Sequence, residues 1–493
     1  MLNNITNFFN LVSGRRIKTS VDPTDLVALG IQDPRTPGIY QPAAIRACDL
    51  GGGGGSPSIM ILGSGACSTM RCGNSNIASG DNSTVSGGYL NTASSDNSTI
   101  GGGRCNTASA YYSTVSGGYI NTASSDNSTI SGGRSNTASG KYVAIGGGVN
   151  NTASCDSSTV SGGFCNTASG NASTVSGGYV NNASGYISTI GGGYCNTASC
   201  NYSTVSGGVS NTANSQCSTV SGGTCNTASG YIAAIGGGIN NIASGVSSTI
   251  SGGVNNTASS NYSTISGGIR NTASCNYSTV SGGNSNIASG DRSTVSGGVN
   301  NIASGDWSIV SGGYTNNASG SISTVSGGSC NTATSNYSTV GGGKWNTSSG
   351  FYSFIGNGVS NVANNSWSSV LNGALNNSSG YYSLIATGAN NIASCDHTFI
   401  GSGILNSVVS TFSTISGGYR NCIIGDYSFI AGARDNFACL NCTFILGNQI
   451  TSNRACSTFV NNLNIMDIPT AAAGLPTKSV WFDSATCTLK MVP

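Results

Sequence analysis

"STVSGGYLNTASSDNSTIGGGRCNTASAYYSTVSGG", residues 83–118, states nearly the same phrase three times over. Val85, Ile100 and Val115 stand 15 residues apart, and the spacing continues through Ile130, Ile145, Val160, Val175 and Ile190. From Met70 to Val460 it runs through 27 positions without an insertion or deletion. Loops of globular domains absorb insertions readily, whereas coils stacked on one another penalise them. The period is therefore structural, with one repeat for each turn of a solenoid.

Counting from the Val/Ile position, Gly recurs three residues on in 24 successive repeats, from Gly73 to Gly418, including Gly88, Gly103 and Gly118. Asn448 stands there by the same count. Asn is the commonest non-Gly residue to accept positive φ, so the column reads as a left-handed turn. Six residues on, Asn recurs in 25 successive repeats: Asn76, Asn91, Asn106, Asn121, Asn136 and onward through Asn256 and Asn346 to Asn436. Ala usually follows at eight. The repeat reads as two short strands and two turns, Ser-Thr-Val-Ser with Val inward and Asn-Thr-Ala-Ser with Asn and Ala inward. Stacked copies of Val85, Ile100, Val115 and Ile130 then form an apolar ladder. An inward Asn amide would bond along the stack to its own copies, satisfying a buried polar group by repetition; a solvated turn residue is the alternative reading. All eight Pro lie outside the periodic region, as expected where every N–H pairs with the next coil. The fold class is all-β, a parallel β-solenoid of 15-residue coils.

Composition agrees. Gly is 75 of 493 residues and charged residues are 6%, which fits neither collagen nor a charged disordered chain. All 15 acidic residues are Asp, a turn former, and none is the helix-favouring Glu. Net charge is +2 and basic residues stand singly apart from Arg15-Arg16, so no stripe exists to track a phosphate backbone, and nucleic acid is not an expected partner. The opening "MLNNITNFFNLVSGRR" lacks a basic n-region and is not read as a secretion signal; no run of 18 apolar residues predicts membrane insertion. The chain is expected to fold in the cytoplasm that makes it.

Each coil offers its core one Val or Ile and one Ala, so a second apolar surface is expected. Four residues after the Val stand Tyr89, Tyr119, Phe164, Tyr179 and Tyr194; twelve after it stand Tyr112, Tyr202, Tyr262, Tyr277, Trp307 and Tyr337. The second column is the candidate receptor stripe, with solvated turn tyrosines as the alternative. The position before the Val is Thr84, Thr99, Thr114 and Thr129 early on, and later Phe354, Leu384, Phe399, Phe429, Phe444 and Phe459. A face that is Phe or Leu at six of its last eight places is not expected to meet water, and it is the candidate subunit interface.

Chemistry is scarce. The one histidine, His397, falls in the turn column, and neither a Ser-His-Asp set nor a nucleophile elbow can be assembled, so no enzyme and no cofactor are expected. Cys105, Cys165, Cys195, Cys225 and Cys330 share one phase, and Cys155, Cys200, Cys275 and Cys395 another. Nearest copies within a phase lie at least two coils apart, about 9.6 Å or more, beyond the ~7 Å a disulfide spans. Free thiols in a reducing compartment are the expectation. Asp81, Asp96, Asp126, Asp156, Asp291 and Asp306 share a turn, but the Gly-Gly-x-Gly-x-Asp calcium repeat is absent, so no metal is expected.

"NTASGKYVAIGGGVNNTAS", residues 136–154, resembles the head repeats of trimeric autotransporter adhesins, the haemagglutinin-type family, and strings like it occur in tail-fibre-like proteins of phages and viruses. The resemblance spans about residues 65–460. It implies a left-handed β-roll in each chain and three rolls around a threefold axis; this chain departs from it in having 15 residues where the family has about 14. "VDPTDLVALGIQDPRTPGIYQPAAI" (21–45) is similar to amino-terminal segments of phage structural proteins, and the "GLPT" to "LKMV" ending is similar to the close of phage and viral structural proteins.

The expected organisation is an amino-terminal anchor (1–50), a Gly-rich hinge (51–64), a solenoid shaft (65–460) and a carboxy-terminal cap (461–493) in which two apolar runs form a hairpin. The expected function is a homotrimeric fibre on a virus or phage particle, assembled in the host cytoplasm. Its anchor would engage a capsid or tail component and its turns a host surface receptor of glycan type. Alternatives are a bacterial surface adhesin, a self-assembling filament subunit and an ice-binding β-solenoid, the last suggested by the Thr columns.

Overall fold

The computed structural model describes residues 29–32, 40–43, 60–71 and 75–461, then 470, 473–474, 476–477, 479–483 and 488–491 toward the carboxy terminus. Most of the segment expected as an anchor, and the Gly-rich stretch 51–59, lie outside the described residues. Within the anchor, Leu29–Gln32 and Tyr40–Ala43 form an antiparallel pair. Strand, bridge and turn make up the described residues, with no helix.

The chain divides into two units, 1–254 and 255–493. Both are parallel β-solenoids of the same coil, and residues 83–97 explain it. Two short strands, Thr84–Val85 and Thr92–Ala93, pair in parallel and in register with their copies 15 residues on, Thr84 with Thr99 and Thr92 with Thr107. A third ladder, not expected from the repeat, is a row of single-residue bridges through Tyr89, Arg104 and Tyr119. The N–H groups of Thr84, Ser86, Tyr89, Thr92 and Ser94 donate to carbonyls of the following coil at 2.9–3.0 Å. Proline at any of them would leave a carbonyl without its donor.

Four columns fill the interior, two apolar and two polar. Val85, Ala93 and Asn91 are fully buried, as is Ser83, which follows from strand alternation with Val85. The hydroxyls of this Ser column turn back to the carbonyl three residues earlier in some coils, as Ser98 does to Ser95 at 2.6 Å. In others, Ser83 and Ser173 among them, the hydroxyl is buried with no partner. Val143 and Ala233 occupy the same column, so its essential property is size and not polarity. Where the Ala column becomes Ser, the new hydroxyl is absorbed within the core: Ser348 pairs with Ser353, and Ser378 with Ser383, both at 2.6 Å.

Turns use three left-handed positions per coil. One is the expected Gly column, Gly88, Gly103 and Gly118 at φ 90–96°. The others are not Gly. They lie five and twelve residues after the Val/Ile and hold Leu90, Asn97, Cys105 and Tyr112 at φ 55–57°. Their N–H groups point back to the preceding coil, Asn97 to Asp81 at 2.8 Å and Cys105 to Tyr89 at 2.8 Å. A bond to the neighbouring coil holds a conformation these side chains rarely adopt alone.

The first unit opens with Met60–Leu62, inside the stretch expected as hinge, paired antiparallel with Thr69–Arg71; parallel pairing then runs from Met70 to Ile250. In the second unit the inward column runs from Ile265 to Ile445. There the period breaks. Ile445 pairs with Phe459 and Leu446 with Val460, so the last coil closes in 14 residues, and the count of 15 to Val460 is corrected by one. Gly447, whose carbonyl accepts from the Asn436 amide, stands in the Gly column of this coil, Gln449 takes the left-handed place of the Cys105 column, and Asn448 is no turn marker. Phe459 likewise belongs to the inward Ile column and not to the outward Phe column. At the end of the chain Val480–Asp483 and Thr488–Met491 form the expected antiparallel hairpin.

Candidate interaction surface

Inside the coil, the Asn column carries the polar architecture. The side-chain oxygen of Asn91 accepts the backbone N–H of Asn106 at 3.0 Å, and its amide donates to the carbonyls of Gly87 at 3.0 Å and Gly103 at 2.9 Å. Asn106, Asn121 and Asn136 repeat the pattern. Asn76 donates to Gly88, Asn256 to Gly268 and Asn346 to Gly358. Asn436 closes the column, its oxygen accepting the N–H of Ile450 at 3.0 Å. The bonding partner along the stack is thus the next coil's main chain, with amide-to-amide contacts such as Asn136 to Asn121 added in some coils. The Gly column permits this, because a Cβ at Gly103 would meet the Gly118 carbonyl and the Asn106 amide.

Outside, three columns present large side chains. In the second unit the column twelve residues after the Val/Ile forms a run of rings: Tyr337, Tyr352, Trp367, Tyr382, His397, Phe412 and Tyr427, with consecutive centroids 4.3–5.6 Å apart. Tyr262 stacks on Tyr277 at 4.8 Å. The Arg292 guanidinium lies 5.2 Å from the Tyr277 ring and 4.6 Å from Trp307, filling the place between them. In the first unit Tyr112 and Tyr202 are exposed and meet only the edges of Tyr111 and Tyr186. Sequence reasoning left His397 as an isolated turn residue; it is stacked between Tyr382 and Phe412.

Stacking also decides what this stripe offers. Inside the run, ring faces are covered by neighbouring rings, so the exposure that Tyr352, Trp367 and Tyr382 keep is at their edges. The column four residues after the Val/Ile behaves alike, with Phe164, Tyr179 and Tyr194 stacked at 4.8 and 5.2 Å. Arg104 lies between Tyr89 and Tyr119 at 5.5 and 5.7 Å, so this isolated basic residue continues a ladder of rings. The hydroxyls of Tyr111, Tyr194 and Tyr381, donating to Tyr112, Cys195 and Tyr382, are held above the usual tyrosine range, because these bonds favour the protonated form.

The third column is the outward Thr column that turns apolar. Phe354 and Phe444 are each 38% exposed, while Leu384, Phe399 and Phe429 are half-buried. Leu384 pairs with Phe399, and Phe429 stacks on Phe444 at 5.0 Å. Asp carboxylates stay within the turns: Asp96 accepts the N–H of Asp81 at 2.9 Å and Asp156 that of Lys141 at 2.9 Å. The fifteen cysteines among the described residues are free thiols. No helix among the described residues is long and apolar enough to cross a membrane.

A family model described as the ubiquitous surface protein adhesin repeat matches residues 158–170. This stretch, "STVSGGFCNTASG", holds the four inward residues Ser158, Val160, Asn166 and Ala168 together with the left-handed Gly163. The similarity therefore concerns the framework of the coil. No curated protein matches the chain.

Proposed function

We propose that this chain is the subunit of a homotrimeric fibre that projects from a virus or phage particle and attaches it to a host surface receptor. The observation that carries the reading is the outward column of the second unit, where Phe354, Leu384, Phe399, Phe429 and Phe444 replace Thr on a strand face that a single chain leaves partly open. Apolar columns repeating at the step of the coil are suited to a partner with the same step, which a second and third copy provide. In the first unit, glycine supports a close approach by another subunit. At Gly102, Gly117 and Gly162, two residues after the Val/Ile, nothing within the chain stands where a Cβ would be. The amino-terminal segment serves as anchor to a capsid or tail component and the carboxy-terminal hairpin as cap. With ring faces covered, a glycan receptor would meet tyrosine hydroxyls and ring edges.

A bacterial surface adhesin is the second reading, favoured by the adhesin-repeat match at residues 158–170. Light scattering of the intact chain tests the shared part: a species near three times 48.9 kDa is expected, and a soluble 48.9 kDa monomer overturns it. Gold-labelled antibody against residues 255–493 separates the two readings by decorating particles or cells.

A further inference from the structure

Counted by fifteens, Cys442 and Cys456 fall out of phase. The 14-residue closing coil brings them into one column. Both hold the left-handed turn position, at φ 56° and 50°. The N–H of Cys442 donates to Asp426 at 2.8 Å, and that of Cys456 to the equivalent carbonyl of the next coil, Asn441, at 3.1 Å. Equivalent residues of neighbouring parallel coils stand about 4.8 Å apart, inside the range of roughly 4.4–6.8 Å between Cα atoms of a disulfide. Both thiols are exposed, so a small oxidant can reach them. The same-phase Cys165, Cys195 and Cys225, by contrast, are separated by two coils.

We propose that Cys442 and Cys456 form a redox modification site, a disulfide that staples the final coil to the one before it. The oxidant it takes is a low-molecular-weight disulfide of the glutathione class. One protein thiolate attacks a glutathione sulfur, forming a mixed disulfide and expelling one glutathione thiolate. The other protein thiolate attacks the cysteine sulfur of that mixed disulfide and expels the second. Two protein sulfurs are oxidised, two glutathione sulfurs are reduced, and the two protons end on glutathione. The location has a physical logic. The Asn ladder ends at Asn436, and Ile450 occupies the next inward place, so the covalent link would fall in the coil that has no amide of its own.

The test treats the full-length chain with oxidised glutathione, alkylates it under denaturing conditions and digests it with trypsin without reductant. Cleavage after Arg434, Arg454 and Lys478 sends the two cysteines to peptides 435–454 and 455–478. These are expected as one linked species in the wild type and in Cys439→Ser, and as separate peptides in Cys442→Ser and Cys456→Ser. Hydrogen exchange over 446–460 is expected to slow about ten-fold on oxidation, and not to change in Cys442→Ser. Separate alkylated or glutathionylated peptides in the wild type overturn the proposal. So does a link that survives in Cys442→Ser, which would assign it to Cys439. Linked peptides of mixed isotope, from equal amounts of labelled and unlabelled chain, would overturn it as well by placing the bond between chains.

Discussion

The side-chain oxygen of Asn166 accepts the backbone N–H of Asn181 at 3.0 Å, while its amide donates to Gly162 at 2.9 Å and Gly178 at 2.8 Å. One side chain thus joins its own turn to the following coil. Asn166→Ala leaves the buried Asn181 N–H without an acceptor and the Gly162 carbonyl without this donor, whereas the Gly178 carbonyl keeps the N–H of Phe164. A loss of about 2–4 kcal/mol is expected. Because coils depend on their nearest neighbours, hydrogen exchange should accelerate over residues 160–190 and little elsewhere.

Ser173 gives the opposite expectation. Its hydroxyl is buried with no partner, and Ala233 already occupies the same column. Ser173→Ala is expected to leave the unfolding midpoint unchanged or to raise it, by up to about 1 kcal/mol of stability. Ser353→Ala removes the partner of Ser348 inside the core and is expected to cost about 1–3 kcal/mol. Denaturant melts of the two variants should move apart.

Two neighbouring glycines separate coil geometry from surface. Gly163 has φ +96°, and a Cβ there would run into the Gly178 carbonyl. Gly163→Ala is expected to cost about 3 kcal/mol or more. Gly162 has open space, so Gly162→Ala is expected to leave chain stability within about 1 kcal/mol. If another subunit covers that face, sedimentation will show a weakened assembly; a normal trimer would mean that the partner packs elsewhere.

Cys442 should respond to pH through its neighbour. Its hydrogen bond to Cys456 raises the thiol above its ordinary range. The bond favours the protonated form, so its contribution is present below the ordinary thiol range and is lost as pH rises through the raised value. Alkylation follows the thiolate, so at pH 8 Cys442 is expected to react more slowly than an ordinary exposed thiol, and Cys456→Ala, which removes the acceptor, to accelerate it. An unchanged rate in the variant would show that the neighbouring thiol is not the cause. Cys422 is also raised, by burial, and should stay slow in both proteins.

The ring run predicts a local stability effect. Trp367 stacks on Tyr352 at 4.3 Å and on Tyr382 at 5.6 Å. Trp367→Ala is expected to cost about 1–3 kcal/mol. Trp367→Asn should cost less than Ala, because Asn accepts the φ of 60° found there. Thermal melts of the two variants test the order.

The coil was legible because every register contact repeats at a fixed separation. Val85 meets Ile100, and Ala93 meets Ala108, so the long-range pairing is written as a short-range period. The inward Asn could be read for the same reason. The inward Ser was overlooked although strand alternation pointed to it, because Ser83 carries no apolar signal. The two non-Gly left-handed columns were hidden more deeply. Tyr112, Ile120 and Trp367 give no hint of positive φ, since bonds to the preceding coil and not residue preference hold them there.

Periodicity alone specified a parallel β-solenoid, its inward Val, Ala and Asn columns and its Gly turn, since an invariant step lets composition at one phase stand for a place in space. Three-dimensional pairing was needed wherever that step or a side-chain direction had to be known. The closing coil has 14 residues because Ile445 pairs with Phe459. That single missing residue moves Phe459 from the outer face to the inner column and brings Cys442 and Cys456 together. The rings of the second unit lie face to face because parallel coils hold equivalent side chains one strand spacing apart, which leaves their edges, not their faces, for a partner.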